Sequence, residues 1–170
     1  QGAGALMLIG YRPPTPALAE RLQALGPHIQ LRVIDVADGA AMSRLFADLD
    51  REGPPLRGVF HLAGGVADGA LLQQDWERFA SVLPAKVEGA RILDALTRDR
   101  ALDHFVLFST SAALIGNRGQ ANHAAANAVL DALARARRAH GLPGLSLNWG
   151  AWGEIGAVVD GAYAERLQAS

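Results

Sequence analysis

The chain has 170 residues, enough for one domain with a buried core. Sixteen Lys+Arg against 17 Asp+Glu leave a formal net charge of -1, so charge gives no basis for binding nucleic acid or an anionic membrane. Cysteine is absent, which excludes disulfides and thiolate metal sites, and no apolar run approaches a membrane span.

Short apolar runs alternate with segments of helical period. Ala5–Gly10 (ALMLIG) reads as a buried strand, and Pro16–Gly26 as a helix that Gly26 stops. His28–Val36 is the second predicted strand. Gly39–Gly53 is an amphipathic helix closed by Gly53 and Pro54. Leu56–Gly64 is the third strand. Asp75–Thr97 is a long helix that Pro84 should kink. His104–Thr110 is the fourth strand, Gln120–Gly141 an alanine-rich helix, and Gly144–Gly150 the fifth strand. A short helical pattern recurs in AYAERLQAS at the end. Trp76 is expected to pack its own helix. Arg135, Arg137 and Arg138 form a basic helix end that complements the helix dipole.

This alternation predicts an α/β fold, a parallel sheet with helices on both faces. Such sheets bind ligands beyond the carboxyl ends of their strands. Asp35, His61, Asp68, the Ser109-Thr110-Ser111 cluster and Asn148 all fall at or after predicted strand ends. That nominates a site without naming a reaction. His61 has no second histidine or carboxylate at ligand spacing, so no metal site is expected.

The segments RVIDVAD, LRGVFHLAGGVADGAL, WERFASVLPAKVEGARILDALT and LDHFVLFSTSAALIGNRGQANHAAANAVLDALARARRAHGLPGLSLNWGAWGEIG carry a specific resemblance. In order and spacing they resemble the ketoreductase domain of modular polyketide synthases, in the short-chain dehydrogenase/reductase superfamily. The resemblance implies a Rossmann-like domain over residues 1–156, with 157–170 as a tail or lid. It implies hydride delivery from NADPH to a ketone, with a tyrosine as proton donor, a serine holding the carbonyl oxygen, and a lysine lowering the tyrosine pKa. An asparagine completes the site. Carried over by position, the lysine is Lys86 and the asparagine Asn127. The serine is replaced by Thr110 and the tyrosine by His123. His123 and Asn127 are i and i+4, on one helix face. A neighbouring Lys86 ammonium should lower the histidine pKa and leave a poor acid.

The resemblance also implies cofactor contacts at Arg12, Asp35, Val36, His61, Ala63, Gly64 and Asn148. Asp68 matches the second acidic position of a fingerprint linked to one alcohol stereochemistry, with Ala67 at the first. The glycine-rich G-x-G-x-x-G turn that cradles the cofactor pyrophosphate does not occur in the sequence. The first strand here matches the family's second. The chain is thus expected to bind NADP(H) only if that unit is supplied from outside it. Without it, the first and third strands could pair directly, in the order 2-1-3-4-5. Lys86 is expected to lie near Asn127.

Three functions follow from the resemblance: a non-reducing, structural ketoreductase-like domain; an active NADPH-dependent β-ketoacyl reductase; or a cofactor-free epimerase of 2-methyl-3-ketoacyl chains. The expected partners are neighbouring synthase domains and an acyl carrier protein, in the cytoplasm, with no nucleic acid or membrane.

Overall fold

In the computed structural model, residues 4–150 are described. Three helices start where the sequence supplies a capping oxygen. Thr15 Oγ1 accepts the Leu18 amide at 3.3 Å to open α1 (Pro16–Ala24), with Pro16 at its first position. Asp38 accepts the Ala41 amide at 3.0 Å to open α2 (Gly39–Glu52). Asp75 accepts the Arg78 amide at 2.9 Å to open α3 (Trp76–Leu83). The long predicted helix does break at Pro84, and the break takes the form of a π turn, Pro84–Glu88, before α4 (Gly89–Thr97). A short α5 (Ala112–Ile115) precedes α6 (Ala121–Ala139).

The strands are β1 (Leu6–Gly10), β2 (Ile29–Val33), β3 (Gly58–His61), β4 (His104–Thr110) and β5 (Leu145–Trp149). All pairings are parallel, as expected. The single sheet is not observed. β1 pairs only β2, and β3, β4 and β5 form a separate sheet in that order. The direct pairing of the first and third strands is therefore corrected: β1 and β3 are both edge strands among the described residues.

The core explains which half stands firmly. Met42, Leu45 and Phe46 of α2, Ala90 and Leu93 of α4, and Leu130 and Ala134 of α6 cluster with Val59 of β3 and with Phe105 and Leu107 of β4. Strand alternation sends Phe60, Val106, Phe108, Leu145, Leu147 and Trp149 to the other face. That face is apolar and partly bare, with Phe60 57% exposed. The β1–α1–β2 unit contributes no buried side chain at all.

Two further expectations are corrected. Trp76 does not pack its helix; it is 74% exposed, because the apolar stripe of α3 turns Val82 inward instead. Arg137 is not a solvated helix-end cation. It is buried, with Nη1 on Asp94 Oδ1 at 2.6 Å, Nε on the Pro143 carbonyl at 2.8 Å, and its guanidinium 3.8 Å from the Phe105 ring centroid. It staples the end of α6 to α4.

Candidate functional site

The site is built from the π turn, the end of β4 and the first turns of α6. In an α-helix a proline removes a donor and crowds the turn before it. The wider turn at Pro84–Glu88 absorbs that and places Lys86 inward, buried. The Lys86 stem crosses Gly64, where an added Cβ would stand 2.4 Å from Cε. Its Nζ donates to the Phe108 carbonyl at 2.7 Å. Burial pulls the Lys86 pKa down to about 8.

His123 stands in the first turn of α6, half-buried. Burial, then the Lys86 charge, lower its pKa, while a hydrogen bond to the Gly65 carbonyl and the Asp68 charge act the other way. The ring nitrogen Nδ1 is buried without a partner. Asn127, one turn on, donates from Nδ2 to the His123 carbonyl at 2.8 Å, and its Oδ1 has no partner. No hydrogen bond therefore joins Asn127 to Lys86, whose amine is held by Phe108. Thr110, paired with Trp149 across β4 and β5, accepts the Ala112 amide on Oγ1 at 3.3 Å.

The predicted cofactor positions do not assemble into a cradle. Val36 and His61 are buried against Gly89, whose added Cβ would meet Val36 Cγ1 at 2.7 Å and His61 Cε1 at 3.3 Å. His61 Nε2 donates to the Lys86 main-chain carbonyl at 3.2 Å, tying β3 to the π turn, and burial lowers its pKa to about 4. Arg12 is exposed over the Tyr11 ring, 4.7 Å from its centroid. Asp35 is exposed and accepts the Ala37 amide at 2.9 Å. Ala63 is half-buried and Gly64 exposed. Asn148 is turned into a polar network, donating to Asp131 Oδ2 at 3.0 Å and to Ser109 Oγ at 3.2 Å. These residues do not fit a nicotinamide dinucleotide as they stand.

Sequence reasoning missed that network. Ser146 donates to Asp131 Oδ1 at 2.5 Å, and Ser109 to the Asn127 carbonyl at 3.3 Å, so β5, β4 and α6 share one buried polar chain. It also missed Gln120, which donates to Asp68 Oδ1 at 3.2 Å, and Asn122. Asn122, Asn127 and Asp131 carry the signal. They are polar residues on the same buried stripe as Leu130 and Ala134.

The KR domain family model matches residues 1–154. The chain belongs to the KR domain family. Mycoketide-CoA synthase of Mycobacterium tuberculosis is 44% identical over 170 residues, covering 98% of this chain and 4% of that protein. Polyketide synthase GfsB of Streptomyces halstedii is 44% identical over 171 residues, covering 98% and 3%. This KR domain sequence thus spans a small fraction of those relatives. A solved A-type ketoreductase from a modular polyketide synthase superposes with TM-score 0.91 at 41% identity, over 99% of this chain and 36% of that one. A C2-type ketoreductase superposes with TM-score 0.80 at 38% identity, over 98% and 36%. The Rossmann-like α/β class expected from the sequence agrees with these neighbours. The terminal helical pattern and the tail at 157–170 lie outside the described residues.

Proposed function

We propose that this KR domain is a non-reducing member of a polyketide synthase, holding neighbouring domains in place and leaving a β-keto group unreduced. The observation that carries the reading is the state of His123. Reduction needs a proton for the developing alkoxide. Here the group at the donor position is a desolvated imidazole beside an ammonium, neutral near pH 7, with its N–H engaged by the Gly65 carbonyl. Lys86 cannot compensate: its ammonium is committed to Phe108. The cofactor positions add support, because His61 and Val36 are packing residues in this chain. The partners are then the adjoining synthase domains and the acyl carrier protein, in the cytoplasm.

A second reading, the active reductase, is favoured by one observation: two parallel sheets each end in an open edge, beside a bare apolar face. A parallel strand and helix supplied from beyond this sequence would satisfy both, and would bring the glycine-rich turn. The two readings separate in one experiment. The chain is assayed with a β-ketoacyl thioester and NADPH, alone and within its parent polypeptide. The non-reducing reading expects no turnover in either form, whereas turnover in the parent supports the second.

A further inference from the structure

α6 begins without a side-chain cap, since Gln120 makes none. Its first-turn amides have no intrahelical acceptor and need one from elsewhere. Asn122 supplies it from within the helix: Oδ1 accepts the His123 amide at 2.7 Å. The other end of the same carboxamide points away from α6. Nδ2 donates to the Ala67 carbonyl at 2.8 Å and to the Arg78 carbonyl at 3.2 Å. Asn122 is 0% exposed, and both donors and the acceptor of its side chain are used. Two short bonds reinforce the same junction: the Gly69 amide to the Gly119 carbonyl at 2.9 Å, and Arg78 Nη1 to the Asp68 carbonyl at 2.7 Å.

We propose that Asn122 is a positioning residue: its carboxamide locks the first turn of α6 to the 65–69 loop and the α3 helix, and so fixes where the His123 ring stands against Gly65. This rests on the reading of His123 as the residue at the proton donor's place. The groups facing His123 are Lys86 from the π turn, and the Gly65 carbonyl and Asp68 from the loop. Each distance is set by how α6 sits on that loop, and one side chain controls the seating. Alanine at 122 removes all three bonds. Aspartate keeps the acceptor for the His123 amide and loses both donors to the loop and α3.

The test is an NMR pH titration of the intact 170-residue chain, with the His123 resonance identified by its loss in His123→Gln. In Asn122→Ala and Asn122→Asp the His123 midpoint should move up, toward that of an exposed histidine, while His61 keeps its own. A His123 midpoint unchanged in a folded Asn122 variant overturns the proposal. If neither variant folds, amide exchange of the unaltered chain decides. The His123 amide should exchange at least about tenfold more slowly than the Ala121 amide, which lies in the same turn. Equal rates overturn the proposal. Turnover by the unaltered domain would defeat the non-reducing reading alone and leave this result standing.

Discussion

Lys86 Nζ donates to the Phe108 carbonyl at 2.7 Å, while the Asn127 oxygen one helix away is buried with no partner. The amine serves the end of β4 and leaves the α6 side of the cleft unserved. Gly64 makes that possible by leaving room for the Lys86 stem. Gly64→Ala should displace Cε and break the bond to Phe108. The expected cost is about 1.5–3 kcal/mol, the range for a hydrogen bond from a charged group. Urea denaturation of the variant checks this, and a cost near zero would mean that the lysine simply swings aside.

The Asp94–Arg137 pair should dominate the stability of the α4–α6 contact. Both side chains are buried, and removing one strands the other charge. Asp94→Ala should lose about 3–5 kcal/mol. Arg98 binds the same carboxylate at 2.6 Å but is itself exposed, so Arg98→Ala should lose at most about 1 kcal/mol. Chemical denaturation of the two variants side by side tests the ranking.

Acid should weaken the fold through His61. Its folded pKa is about 4, below the ordinary histidine value, so between pH 6.5 and 4 the unfolded chain binds more protons. The contribution is fully present above pH 6.5, falls as pH drops, and is spent near pH 4. The loss is on the order of 3 kcal/mol. His61→Gln can still donate to the Lys86 carbonyl and carries no titrating ring. Its stability should be flatter over that window, as measured by urea midpoints at pH 7, 5.5 and 4.

Much of the fold was legible in the sequence, because each strand is an apolar run and each of the first three helices carries its own start signal. The sheet order was not. Whether β1 reaches β3 depends on a neighbour for both edges, and no local pattern in either strand encodes that. The site was legible by position at Lys86, His123 and Asn127, which do gather at the π turn and α6. Val36 and His61 misled, since a residue at a strand end can serve packing as well as a ligand, and Gly89 lets α4 come close enough to cover both. Arg137 misled for a similar reason: its acid partner lies 43 positions away, beyond any helix-end rule.

If the missing phenol is the limiting defect, restoring it should show. In a protein supplied with the glycine-rich unit, His123→Tyr with Thr110→Ser should raise ketone reduction by about 10²-fold or more over the unaltered site, the scale of a placed general acid. NADPH consumption against a β-ketoacyl thioester reads it. No gain in a folded, cofactor-binding variant would place the defect elsewhere in the cleft.

The central claim is that the site as it stands does not reduce. The most direct measurement is single-turnover reduction of a β-ketoacyl thioester by the unaltered domain inside its parent polypeptide, with saturating NADPH and product stereochemistry read by chiral chromatography. The account predicts that the keto group is recovered unreduced. Formation of one hydroxyacyl stereoisomer at a rate on the order of 1 per second or faster, as ordinary enzymes achieve, would contradict it.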